Sequence, residues 1–272
     1  MVWRRLRRDR FFQVSLLILM VLGICAVFGP QLARYGPIDI NVGPRLAPPS
    51  AEHWMGTDHL GRDVFSRILH GARISLALSM LAMGSAVLMG TFLGSVAGYF
   101  RRLDEPIMRV IDVLLAFPGL LRAIAVVAAL GPGLYQVVIA VGLGSIPMFA
   151  RYTRSFVLRF RDLEFVEAAV AGGASSRRIL VRHILPNCVG PILVMAAINF
   201  ASAVTQISIL SFLGLGVQPP VPEWGAMAAE ARQTLLQSIW PIVWPSLAIF
   251  LTVLSLILVS DSLQEVLDPR LQ

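Results

Sequence analysis

Six stretches of the chain are apolar almost without interruption, at 11–29, 74–98, 108–130, 134–158, 190–213 and 242–260. A helix needs about 20 such residues to cross about 30 Å of hydrocarbon, so each stretch predicts a membrane-spanning helix. Polar residues collect between them. Residues 30–73 and 214–241 are long segments rich in proline and glycine, whereas Gly131-Pro132-Gly133 predicts a minimal turn between the third and fourth spans. Between the fourth and fifth spans, residues 162–184 read as a polar hairpin of two short helices. Asp162 is placed to cap the first, Leu163 to Val170. Gly172 and Gly173 end it, and Ser175 or Ser176 starts the second. That second helix turns Arg177, Arg178 and Arg182 to water and Ile179, Leu180 and Ile184 inward. Glu167, about one turn into the first helix, is placed to accept hydrogen bonds from a serine or arginine of the second and hold the bend.

The charges orient the spans. All 23 basic residues are arginine. With both termini in the cytoplasm, sixteen fall on the cytoplasmic side, six outside, and Arg122 within a span; this bias follows the positive-inside rule. The first stretch follows Arg4, Arg5, Arg7, Arg8 and Arg10 as a leader would, but no small-x-small cleavage pattern follows it, and it reads as a retained anchor. The domain reading is then a cytoplasmic N-terminus (1–10), the anchor (11–29), an external loop (30–73), a transmembrane core (74–260) and a cytoplasmic C-terminus (261–272).

Composition narrows the function. The chain of 272 residues is 56% hydrophobic and 14% charged, with mean hydropathy +0.74, which excludes an ordinary water-soluble domain. The net charge of +7 is accounted for by membrane sidedness, and no aromatic-basic pattern points to nucleic acid. The absence of lysine excludes a G-x-x-x-x-G-K-[ST] phosphate loop, so any ATP that drives this protein is hydrolysed by another chain. No nucleophile elbow, H-E-x-x-H or intramembrane carboxylate pair is present, leaving no catalytic residue to name. Cys25 and Cys188 read as packing residues. His53, His59 and His70 with Asp58 and Asp63 match no metal-ligand spacing of defined geometry.

Local chemistry stands out at four further places. The external segment His53 to Arg67 holds Asp58, Asp63, Arg62 and Arg67, which can cross-pair, while Gly56 and Gly61 permit tight turns beside Thr57. It serves either as a cap over a pore or as a substrate contact. Gly90, Gly94 and Gly98, with Gly84 and Ser95, make a small-residue stripe for close helix packing, against a neighbour in this chain or in a second one. Pro118 can kink the third span. Four residues on, Arg122 sits at depth, where an unpaired charge costs about 2.5 to 3.5 kcal/mol; anionic substrate, a partner carboxylate and snorkelling are its three possible explanations. The last place runs from Gly214 and Gly216 through Glu223 and Trp224 to Trp240. It predicts a broken membrane helix and then a helix, 226–236, lying at the outer interface and anchored by Trp224 and Trp240. This element would contact a delivery protein or close an outer gate.

These motifs carry a resemblance. Glu167, Ala168, Ala169, Gly173, Leu185 and Pro186 match the E-A-A, three residues, G, nine residues, I-x-L-P loop of bacterial ABC-importer permeases, with His183 standing where the general pattern has Ile. Gly56-Thr57-Asp58 through Gly61-Arg62-Asp63 to Ser66-Arg67 resembles the G-T-D-x-x-G-R-D-x-x-S-R signature of one permease subunit of dipeptide, oligopeptide and nickel importers. The Asp112 to Pro118, Leu210 to Met227 and Leu267 to Arg270 stretches are similar to the same subunits. The chain is thereby identified as a C-type permease subunit of that importer family. The resemblance implies an all-α integral membrane protein with six transmembrane helices in the type I ABC importer permease fold, and a cytoplasmic coupling helix between helices 4 and 5. It further implies a homologous second permease, two ATP-binding cassette subunits that hold ATP and Mg, an extracytoplasmic substrate-binding protein, and a place in the bacterial inner membrane. This chain itself would bind no cofactor. Di- and oligopeptides are the implied cargo, with nickel complexes and glutathione-like peptides as alternatives. An ion-coupled secondary transporter is the competing class; it would carry acidic residues inside the spans, where only Asp112 comes near.

Overall fold

A computed structural model describes residues 9–267, and within them every regular element is helical. The arginines ahead of residue 9 and the Asp268-Pro269-Arg270 part of the terminal signature lie outside the described residues. Helix α1 is Arg10–Leu32, capped by Asp9, whose carboxylate accepts from the Phe11 N–H at 2.9 Å. It buries only Phe12, Ser15 and Gly29, turning most of its apolar surface outward, as a helix in lipid does. It packs along Val259 and Ala248 near the other end of the chain, and it crosses the Leu69 carbonyl at Gly29 so closely that a Cβ would stand 2.6 Å from that oxygen.

Helix α2, Val64–Tyr99, begins at Asp63, which caps it through the Ser66 N–H at 2.7 Å. The apolar pattern places the start of this span at 74; the helix reaches further because its polar first turns, including Arg67, are buried by partners from elsewhere in the chain. Helix α5, Leu134–Arg161, is the principal neighbour of α2. Cβ atoms on Gly90, Gly94 and Gly98 would meet Phe149 Cβ at 2.4 Å, the Ala150 carbonyl oxygen at 2.3 Å and Val157 Cβ at 2.9 Å. The stripe therefore serves a contact within this chain, while Gly84 faces open space. Leu78, Ala82, Val127, Val137, Val141, Phe149, Ile207 and Leu210 form the core around this pair.

The third apolar stretch is not one kinked helix. Helices α3 (Arg101–Leu115) and α4 (Gly119–Leu130) meet at 92°. Proline at 118 cannot donate and disfavours helical backbone at Phe117, so the ladder stops. Helix α3 is tied to α5 by Arg154 Nη2 on Asp104 at 2.6 Å and by Arg151 on Asp112.

The remaining elements are α6 (Glu164–Ala171), α7 (Ser176–Phe212), α8 (Trp224–Arg232) and α9 (Trp240–Leu267). Helices α1, α2, α5, α7 and α9 are each long and apolar enough to cross a membrane, and the bent pair α3–α4 makes up to six spans among the described residues.

Candidate functional site

The hairpin forms a knob built from both ends of its sequence. Leu163, in extended conformation, precedes α6, and no side chain caps the helix; Asp162 instead lies beside Arg161, 3.3 Å from its Nε, so the expected cap is corrected. Glu164 and Glu167 in the first turn favour the positive end of the helix dipole. The chain reverses at Gly173, whose φ of +74° suits glycine, with its N–H on the Val170 carbonyl at 3.0 Å and the Ala174 N–H on Ala169 at 3.1 Å. Val166, Ile179, Leu180, Ile184 and Cys188 are buried together against Val157 of α5.

Pro186 dictates the next turn. Lacking an N–H and crowding the carbonyl one turn back, it is accommodated by widening residues Ile179–Ile184 to π-helical spacing, with the Leu185 N–H reaching the Leu180 carbonyl. Leu185 is half-buried and Pro186 exposed. Arg177, Arg178 and Arg182 face outward, as expected. The expectation for Glu167 is corrected: it is exposed and its carboxylate has no hydrogen-bonded partner among the described residues, so apolar packing and Gly173 hold the bend. Glu167 instead edges a groove of about 640 Å³ with Phe100, Arg101, Arg161 and Val170. Ala168 is exposed, Ala169 half-buried, and Phe165 and Val170 are 42% and 58% exposed.

At the opposite end of α2 lies a buried ion-pair cluster. Asp58 accepts from the Leu60 and Arg62 N–H groups at 2.8 and 3.0 Å, from Arg62 Nε at 2.5 Å and from Arg67 Nη1 at 2.6 Å. Each guanidinium then spans to Glu230 of α8, Arg62 at 3.0 Å and Arg67 at 2.8 Å. Burial raises the Asp58 pKa, but the Arg62 N–H, the two guanidinium charges and the Leu60 N–H outweigh it and hold the carboxyl below the usual aspartate value. Asp63 does not join the arginines as expected: it pairs with His53 Nδ1 at 2.9 Å and caps α2. Gly56 and Gly61 take φ of +77° and +71°, and Thr57 ties the loop to Ala47 and Pro44. Among the described residues no group of three His, Cys, Asp or Glu gathers as a metal cage.

Helix α8 inserts into the protein rather than resting at its outer rim. Trp224, expected as an interfacial anchor, is fully buried, which corrects that reading, and Glu223 is buried beside it. Glu223 caps α8 through the Ala226 N–H at 2.9 Å and accepts from Ser75 Oγ at 3.2 Å, while Ser75 accepts from the Trp224 N–H at 3.1 Å. Burial lifts the Glu223 pKa, partly offset by donors from Gly225, Ala226, Ser211 and Ser75. The insertion depends on Gly71 and Gly225, where added Cβ atoms would stand 2.7 Å from the Pro222 oxygen and 2.4 Å from the Ser208 oxygen. Gly214 is exposed, Gly216 packs on Ser211, and Trp240 stacks on Trp244.

Arg122, on α4, bonds the Leu114 carbonyl across the break at 2.6 Å. Its Nε is buried without a partner, and no carboxylate pairs with it among the described residues. An apolar cavity of about 530 Å³ opens beside it, walled by Leu93, Ile111, Phe117, Leu143 and Ile146.

Together these features define a polytopic helical membrane protein with an exposed hairpin at one end, a buried charged latch at the other and a broken span between. Residues 59–272 match the family of binding-protein-dependent transport system inner membrane components, and residues 1–49 match the N-terminal TM domain of oligopeptide transport permease C. The chain belongs to the family of binding-protein-dependent transport system inner membrane components; it is a multi-pass permease subunit of an ABC importer. It is 42% identical to the dipeptide transport system permease protein DppC of Alkalihalophilus pseudofirmus over 99% of this chain and 89% of that one. It is 45% identical to the glutathione transport system permease protein GsiD of Pectobacterium atrosepticum over 99% and 90%. The inward-facing MetNI methionine ABC transporter shares the fold at TM-score 0.56 and 15% identity, over 74% of this chain and 97% of that one. The type I importer fold places the hairpin between the fourth and fifth spans.

Proposed function

We propose that this chain forms half of the pore of an ATP-driven peptide importer and that the 162–184 hairpin is its drive point. The carrying observation is the knob itself: an exposed, apolar-tipped bend with Phe165 and Val170 outward, fixed to α5 and α7 by a buried cluster. ATP and Mg belong to two cassette subunits, since this chain has no lysine for a phosphate loop. A homologous second permease completes the pore, an extracytoplasmic binding protein delivers the cargo, and both termini face the cytoplasm. Closure of the cassettes on ATP pushes the knob, the rigid cluster passes the push to α5 and α7, and the path opens outward. Hydrolysis resets it. Relatives named for dipeptide and for glutathione transport favour short peptides, including γ-glutamyl ones, as cargo.

Cysteine crosslinking tests the drive point. Cysteine at Ala169 or Gly173 is expected to crosslink to a cassette subunit in the active complex. Failure across a scan of 164–180 in a complex that still imports substrate would falsify the assignment.

A further inference from the structure

Arg122 is a cation at the middle of a membrane protein with no carboxylate paired to it among the described residues. The cavity beside it reaches Leu143, Gly144 and Ile146 of α5. At 1.5 Å per residue, Leu143 lies about 14 Å from the Leu134 end of that helix, close to the middle of the hydrocarbon. A guanidinium there is tolerated only in a wet cavity or against a partner, and non-helical backbone at that depth, here residues 116–118, carries the same requirement. The one acceptor of its guanidinium among the described residues is the Leu114 carbonyl, which leaves Nε and Nη2 free to donate. Gln206 of α7 approaches the same spot, and its side chain has no hydrogen-bonded partner among the described residues. Both side chains border Gly119: a Cβ there would lie 3.5 Å from Arg122 Nη2 and 3.9 Å from Gln206 Oε1, ordinary contact distances. The start of α4 adds its unbonded N–H groups and the positive end of its dipole to the same place.

We propose that Arg122 and Gln206 form a carboxylate-binding subsite on the translocation path, which holds the C-terminal carboxylate of a peptide in passage. The guanidinium supplies charge and two donors, the glutamine amide supplies a third once it turns Nε2 rather than Oε1 to the site, and the apolar wall of Phe117, Leu121 and Leu143 accepts side chains without selecting among them. Weak, sequence-tolerant holding suits a path that must also release. This inference rests on the peptide-importer reading.

The whole complex, with its second permease, cassettes and delivery protein, is reconstituted in proteoliposomes, with dialanine as the probe and both uptake and ATP hydrolysis measured. A native complex that imports no peptide overturns the peptide reading itself. With a native complex that imports dialanine, Arg122→Gln is expected to keep delivery-protein-stimulated ATP hydrolysis while dialanine uptake per ATP falls about tenfold, the effect of losing a charged hydrogen-bonding partner. Arg122→Lys is expected to recover part of that loss. Unchanged uptake per ATP in Arg122→Gln, or a lysine no better than glutamine, overturns the subsite. If Arg122→Gln does not assemble, Gln206→Leu decides: uptake per ATP falling about threefold in an assembled complex supports the subsite, and unchanged uptake overturns it.

Discussion

The buried cluster that joins the external loop to α8 makes a sharp prediction for Glu230→Gln. Arg62 and Arg67 side chains are 2% and 3% exposed, and each places one nitrogen on Asp58 and one on Glu230. Two guanidiniums and two carboxylates balance. Glutamine keeps the shape of Glu230 and one acceptor oxygen but leaves a net positive charge among buried groups. Breaking a buried pair costs about 3–5 kcal/mol, and the retained hydrogen bond places this variant at the lower end, about 3 kcal/mol, or roughly a hundredfold in the opening equilibrium. Hydrogen exchange followed by mass spectrometry reads this locally. Amides of Met227 to Arg232 in α8, and of Asn41 to Gly43, which donate to the Leu60 and Gly61 carbonyls, should both lose about two orders of magnitude of protection. Adding Arg67→Met restores neutrality between Asp58 and Arg62, so the double variant should be more protected than the sum of the two single losses predicts. Protection of α8 within roughly threefold of native in Glu230→Gln, or strict additivity in the double variant, would refute a cluster held by charge balance.

Three further outcomes follow from the same geometry. Gly94→Val should lower the melting temperature of the detergent-solubilised protein, or prevent folding, because its Cβ would stand 2.3 Å from the Ala150 oxygen and 2.8 Å from Thr153 Cβ; overpacking of this kind costs about 1–3 kcal/mol or more, whereas Gly84→Ala, with nothing within 4 Å, should be neutral or stabilising. Asp58 carries a folded pKa below its unfolded one, so its contribution to stability is complete above the ordinary aspartate range and is lost as pH falls through the depressed folded value; protection of Asn41 to Gly43, corrected for intrinsic rates, should drop only in that acidic window, and Asp58→Asn should remove the dependence. Val170→Ser, at a position 58% exposed, should leave melting unchanged while reducing delivery-protein-stimulated ATP hydrolysis in the assembled complex, and unaltered coupling would remove Val170 from the docking tip.

What the sequence made legible depended on whether the cause was local. Twenty-residue apolar runs announce spans because the bilayer asks the same thing of each of them separately, and the Gly173 reversal was readable because only one residue type takes that backbone cheaply. The failures share the opposite character. The start of α2 at Val64 was hidden because Arg67 reads as loop until Glu230, far along the chain, is placed beside it. Trp224 read as an interfacial anchor because tryptophan favours that layer, yet its burial is decided by the absence of side chains at Gly71 and Gly225. The break at Pro118 was half visible: proline announces a lost hydrogen bond, but a 92° turn needs α3 to be tied down on α5 by Asp104 and Asp112, whose partners Arg154 and Arg151 lie a span away. Arg122 belongs to both kinds. Its charge at depth was legible as an energetic anomaly, while Gln206, a neutral amide in an apolar run, gave no such signal; only the fold brings the two together, on either side of Gly119. A functional site in a membrane protein is thus announced by the group that is expensive to bury and completed by groups that are not, so the donors that tune a site are found from its geometry rather than from the hydropathy of the chain.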